Sequence, residues 1–252
     1  DADFILVDDL KAFRVRKVFT AGRLIAEDGR VLIPLDDAAA GAPSHSIHLK
    51  LLAEDALSLP VRTGKARVIG IEPASLVTKS LVREVKTDDA GCFQSALNPG
   101  LTKIAVIERH KRTGKLGIGI LEGYGLTGGA IATTISHDSH NIVVAGDNDP
   151  DMLLAVRELA DMGGGIVSVH GGSIRRLPLP IAGLMTSADP QEVNAVLHDM
   201  LVAARAELGI PEDVEPFMTL SFMALPVIPE LKLTARGLFN VNTFSFVGVE
   251  AD

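Results

Sequence analysis

The chain of 252 residues is 47% hydrophobic and 22% charged, enough for one large domain or two small ones around a substantial core, which excludes disordered and fibrous classes. Twenty-four Lys and Arg against 32 Asp and Glu leave a net charge of −8, which argues against nucleic acid or an anionic membrane as partner. The uncharged run Gly123 to Ser136, which no other run exceeds, contains four glycines and falls short of the roughly 18 apolar residues of a membrane span. The single cysteine, Cys92, rules out an internal disulfide and a Cys-rich zinc site, as suits a cytoplasmic protein.

The opening Asp1-Ala-Asp-Phe-Ile-Leu-Val-Asp-Asp reads at once as a strand, without a basic leader or an initiating Met, and suggests a piece of a longer protein. Residues 1–35 carry three short strand patterns: Phe4 to Val7, Val15 to Phe19 and Arg23 to Ala26, with turns at Ala21-Gly22 and Asp28-Gly29. Residues 36–60 lose periodicity and have the composition of a linker or surface crossing. From residue 61 to 252 a larger domain is expected. Its strand patterns are Arg67 to Ile71, Leu76 to Val85, Lys103 to Glu108, Leu116 to Leu121, Ala130 to Ile135 and Asn141 to Ala145. Gly/Thr/Ser-rich turns between the last three make hairpins plausible. Asp149 as N-cap and Pro150 open a helix with Met152, Leu153, Val156 and Leu159 on one face, closed by Gly163 to Gly165. Ile166 to Val169 and the Pro-containing edge segment Arg175 to Pro180 follow, and then a second helix capped by Asp189, with its stripe running from Val193 to Leu208. The fold class expected is α+β: mixed, largely antiparallel sheets with two main amphipathic helices, preceded by a short β-sandwich segment.

The densest group of chemically capable side chains is Ser136-His137-Asp138-Ser139-His140-Asn141, between one apolar strand and the next. Imidazole and carboxylate act as acid, base or ligand near neutral pH, and a turn on a sheet rim gathers them. The same residues also suit a local role, bonding nearby backbone as Asx-type turns do. His45 and His48 lie in the linker-like stretch and read as solvated, and Ile107-Glu108-Arg109-His110 reads either as facing a pocket or, the preferred reading, as an exposed charged strand end. The glycines at 117, 119, 123, 125, 128 and 129 allow close approach or tight turns, but match neither a phosphate loop nor a dinucleotide fingerprint.

Taken together, Ile107 to His110, Gly117-Ile118-Gly119, Gly128 to Thr134, Ser136 to Asn141, Leu177 to Leu184 and Pro216 to Thr234 resemble the carboxy-terminal domain of bacterial adenine deaminase, and residues 1–35 look like the closing strands of the β-sandwich that accompanies an amidohydrolase barrel. The resemblance implies hydrolysis of adenine to hypoxanthine and ammonia by water activated on a divalent metal, Mn, Fe or Zn. The metal's ligands would lie mainly in a barrel preceding residue 1, since this chain has no His-x-His. The implied partners are adenine, that barrel and further copies of the protein in a homo-oligomer. The implied site residues are His137, Asp138 and His140, with Ser136, Ser139 and Asn141 binding substrate or orienting the turn. The competing expectation is a non-catalytic scaffold or oligomerisation domain of an amidohydrolase acting on another cyclic amidine or amide. The uncharged stretch Phe217 to Pro229 would then be core or interface.

Overall fold

In the computed structural model, residues 1–34 and 45–251 are described, and contacts divide the chain into two units, Asp1–Gly41 and Ala42–Asp252. The first is an antiparallel meander of β1 (Phe4–Val7), β2 (Val15–Thr20), β3 (Arg23–Glu27) and β4 (Arg30–Val31). Its two tight turns, Ala21-Gly22 and Asp28-Gly29, have positive φ at both residues, the conformation whose twist matches a two-residue hairpin. Phe4 stacks on its cross-strand neighbour Phe19, yet Phe4, Ile5 and Leu6 remain exposed, because so small a sheet cannot enclose a core.

The second unit is built on an eight-stranded sheet of β5 (Lys65–Ile71), β6 (Thr78–Glu84), β7 (Leu101–Ile107), β8 (Leu116–Glu122), β9 (Gly129–Thr133), β10 (Ile142–Gly146), β11 (Gly165–His170) and β12 (Ser173–Pro178). The order across the sheet is β12-β11-β9-β10-β7-β8-β5-β6. Every neighbouring pair is antiparallel except β5 and β8, which run parallel over Ile69–Gly70. The Pro-bearing β12 is an edge, where its missing N–H is harmless. β9 and β10 form the expected hairpin. β8 and β9 do not: β8 returns onto β7, and the chain then crosses to the far side of β10.

The central strands are apolar on both sides because both faces of the sheet are covered. Ala105, Ile107, Ile142 and Val144 face α1 (Asp149–Asp161), while Ile104, Val106, Val143 and Ala145 face α2 (Pro190–Ala206) and α3 (Pro216–Met223). A small antiparallel sheet of β13 (Leu231–Thr234), β14 (Gly237–Asn240) and β15 (Ser245–Phe246) lies on this second face. The fold is thus α+β and largely antiparallel, with three α-helices among the described residues. The third, α3, comes from the uncharged stretch after Phe217: Phe217, Leu220 and Met223 are core, while Met218 and Val227 are exposed.

Local details correct the expected boundaries. Asn148, not Asp149, caps α1, accepting from the Asp151 N–H at 2.9 Å. Asp149 instead meets the nearly buried Lys103 ammonium at 2.5 Å. Asp189 caps α2 as expected, accepting from the Gln191 N–H at 2.7 Å. Of the linker-like stretch, residues 36–44 lie outside the described residues. Residues 45–60 form no helix or strand, but Leu57 is fully buried with the core under α1. Gly117 lets β8 and β13 approach: a Cβ there would lie 2.0 Å from the Thr234 carbonyl oxygen. Lys232 on β13 is fully buried, donates to the Leu76 carbonyl at 2.9 Å, and is pulled by burial from 10.5 to about 8. β5 is completed by distant chain, as the Arg67 N–H donates to the Val249 carbonyl at 2.6 Å and Ala66 bridges Glu250. No described helix is long and apolar enough to cross a membrane.

Candidate functional site

The turn Ser136 to Asn141 connects β9 to β10 at one end of the main sheet. Antiparallel pairing of β10 with β7 sets Ile142 opposite Ile107. Continuing that register brings His140 beside Arg109 and draws the charged end of β7 into the site. The turn is closed by the His140 N–H donating to the Ser136 carbonyl at 2.6 Å, and fastened to the end of α3 by the His137 N–H donating to the Ser221 carbonyl at 3.0 Å.

The structure brings the three principal candidates together with different exposures. Asp138 and Ser139 are exposed at the tip, while His137 and His140 are partly buried behind them, ring centres 6.1 Å apart. His137 packs on Phe222 at 4.6 Å and borders an apolar cavity of about 450 Å³ walled by Ile135, Leu197, Phe217 and Phe222, with Glu215 at its edge. Burial raises the Glu215 carboxyl above its ordinary range. Asn141 is nearly buried and its Oδ1 accepts from the Arg109 N–H at 3.4 Å. Ser136 is wholly buried. Its hydroxyl and His140 Nδ1 are the two buried side-chain polar atoms without a partner among the described residues. Unsatisfied buried polar atoms carry a desolvation cost, so their clustering in one turn marks it out from ordinary connections.

Burial, then the neighbouring His137, Arg109 and His110, push the His140 imidazole below its ordinary range, with Asp138 opposing. The ring is therefore neutral at pH 7 and able to accept a proton. No comparable feature surrounds His45 or His48. Both are exposed, although the His48 N–H donates to the Arg109 carbonyl at 2.7 Å.

The segment Glu108 to His110, expected as an exposed charged end, is corrected in its centre: Arg109 is 1% exposed. Its Nε donates to the His140 carbonyl, its Nη2 to the Ala182 carbonyl at 2.9 Å, and its Nη1 to Ser46. His110 is exposed, and its Nε2 donates to the Ser139 carbonyl at 2.8 Å. Glu108 stays ionised to about pH 2. Partial burial opposes this, but is outweighed by hydrogen bonds from Thr113, His110 and Lys111. Arg109 and His110 therefore join the site. The signal for Arg109 was its place in the inward-facing row Ala105, Ile107, Arg109.

A family model described as "Adenine deaminase C-terminal domain" matches residues 75–245. The chain is 57% identical over 249 residues to an adenine deaminase of Nitratidesulfovibrio vulgaris, covering 98% of this chain and 43% of that protein. It is 45% identical over 252 residues to adenine deaminase 2 of Carboxydothermus hydrogenoformans, covering 98% and 43%. It is 43% identical over 256 residues to the adenine deaminase of Geobacillus kaustophilus, covering 100% and 44%. The chain thus spans less than half the length of these relatives. By the extent of the match, which takes in the eight-stranded sheet from β6 onward, all three helices and the Ser136–Asn141 turn, the chain belongs to the adenine deaminase C-terminal domain family.

Proposed function

We propose that this chain is the carboxy-terminal part of an adenine deaminase, an aminohydrolase that converts adenine and water to hypoxanthine and ammonia. The observation that carries this reading is the near end-to-end match to adenine deaminases of which the chain covers only 43–44%. The remaining length has room for the catalytic barrel. Among the described residues no three His, Cys, Asp or Glu side chains are placed to share a metal ion, so the described residues do not by themselves form a metal cage. The divalent ion, Mn, Fe or Zn, is proposed to belong to the barrel.

The part given to this chain is hydrogen bonding at the substrate. Asp138, exposed at the tip of the turn, is placed to meet a group outside the chain and to accept from a purine N–H or amino group. His137, set on Phe222, offers a second polar contact behind it. His140, neutral at pH 7, accepts a proton at the same face and gives it back. Ser136, Ser139 and Asn141 orient the turn. The setting proposed is a cytoplasmic homo-oligomer, with exposed Met218 and Val227 as the apolar side chains offered to another copy.

The test is adenine turnover, read as ammonia release, by the intact protein loaded with Mn, Fe or Zn, compared with Asp138→Asn and His137→Ala at verified metal content. A fall in kcat/KM on the order of 100-fold at unchanged metal content supports the assignment. Unchanged kcat/KM removes the turn from the chemistry, and an intact protein without adenine turnover removes the substrate.

A further inference from the structure

A buried guanidinium is costly unless acceptors surround it, and a carboxylate is its usual companion. Arg109 is 1% exposed, yet every acceptor of its guanidinium among the described residues is uncharged. What it has instead is reach. Nε donates to the His140 carbonyl in the turn, Nη2 to the Ala182 carbonyl at 2.9 Å, and Nη1 to the Ser46 carbonyl at 3.3 Å and hydroxyl at 3.0 Å. The backbone of the same residue is tied on both sides, to Asn141 Oδ1 and to the His48 N–H.

Three segments distant in sequence therefore meet on one rigid, planar fork. The surroundings are cut to fit it. Gly183, with φ +72°, leaves the space in which a Cβ would lie 2.9 Å from Nη1. From the other side, the Thr134 hydroxyl donates to the Gly183 carbonyl at 2.5 Å. The loop Ile181 to Met185, closed by its own bridge, is thus held between Arg109 and Thr134, the residue that follows β9 on the way into the turn.

We infer that Arg109 is a positioning residue for the His137–Asn141 turn, clamping the His140 backbone to the Ile181–Met185 loop and to Ser46. The inference rests on the proposed role of that turn in adenine hydrolysis. The uncompensated charge has a second effect. The groups facing His140 are His137, Arg109, Asp138 and His110, and Arg109 is among those that oppose a proton on its ring, with burial the largest contribution. Geometry and charge can be separated by substitution: Lys keeps the charge and loses the fork, while Gln keeps an amide donor and loses the charge.

The experiment uses the intact enzyme carrying R109K, R109Q or S46A, with kcat and KM for adenine measured across pH 5.5–9, and NMR titration of the histidine rings in the 252-residue chain. R109K is expected to lower kcat on the order of 10- to 100-fold, with KM changed less than about threefold and the His140 midpoint unmoved. R109Q is expected to lower kcat similarly and to raise the His140 midpoint toward the ordinary value of about 6.5. S46A, which removes one acceptor, is expected to lower kcat by roughly two- to fivefold. Where Asp138→Asn or His137→Ala lowers turnover, folded R109K and R109Q proteins with kcat within twofold of the parent would overturn the inference, and a His140 midpoint that R109Q leaves in place would overturn it in every case. Should neither Arg109 variant fold, S46A with parental kcat would overturn it instead. If Asp138→Asn and His137→Ala leave turnover unchanged while R109Q still moves His140, the clamp stands and the catalytic reading of the turn fails.

Discussion

Replacing Lys232 by Met should stabilise the protein at neutral pH. Lys232 is fully buried on β13, its Nζ has the Leu76 carbonyl as hydrogen-bond acceptor at 2.9 Å, and burial brings it from 10.5 to about 8. The unfolded chain holds the proton more tightly than the fold does, so wild-type stability should rise as pH passes from about 8 to 10.5. Below that window the folded state bears the whole cost of the charge, about 3 kcal/mol. Met fills much the same volume without charge and forfeits one hydrogen bond, about 1 kcal/mol. The net expectation is a gain of about 2 kcal/mol at pH 7, shrinking to about 0.5 kcal/mol by pH 9.5. Urea unfolding followed by the single tyrosine suits the measurement: the chain has no Trp, and Tyr124 is buried in the core cluster that also holds Leu231 and Leu233. A Met variant less stable than wild type at pH 7, or a difference that stays constant from pH 7 to 9.5, would refute the reasoning.

Two further contrasts probe the packing. Gly117→Ala places a methyl 2.0 Å from the Thr234 carbonyl oxygen and should cost about 3 kcal/mol, seen as a Tm lower by roughly 10 °C, because backbone cannot yield as a side chain can. Gly119→Ala, whose nearest neighbour would be a Leu233 methyl at 3.5 Å, should change Tm by no more than about 2 °C. Asn148→Ala removes the cap of α1 and should cost about 1 kcal/mol in denaturant unfolding. Asp149→Ala strands the buried Lys103 ammonium and should cost about 3 kcal/mol or more. Equal costs would mean that the ion pair is no stronger a constraint than the cap.

Strand β4 and the small sheet β13–β15 were not legible in the sequence, whereas strands β1 to β3 and β5 to β12 were, because their apolar runs are bounded by turns, many of them rich in glycine. Their neighbours were not, since β8 lies beside β7 and β5, and the pairing that matters most for the site, β10 with β7, joins strands separated by two others in the chain. The row Lys103, Ala105, Ile107, Arg109 shows the same limit. Alternation puts both basic residues inward, but only the folded arrangement supplies Asp149 for one and backbone carbonyls for the other. α3 was missed because Phe217-Met-Thr-Leu-Ser-Phe-Met is apolar on most sides and shows no stripe. The Ser136–Asn141 turn was legible from its residue types alone. Its two unpartnered atoms and the Arg109 clamp were not, because they depend on burial by segments far away in sequence.

The strand-like contact between Arg67 and Val249 bears on the kinetics of folding. β5 meets β8 only at Ile69–Gly70, so its lower half must wait for residues some 180 positions later, where Arg67 Nη1 also donates to the Gly248 carbonyl at 2.9 Å. Closing so long a loop is entropically costly and rewards the chain only after the intervening sheet has formed. This seam belongs to the end of the folding reaction, so substitutions at Arg67 or Glu250 should quicken unfolding and leave the folding rate nearly unchanged in a chevron measurement. During synthesis, β5 stays half-paired until the last strands have been made, and for that interval the sheet carries an open seam between β5 and β8.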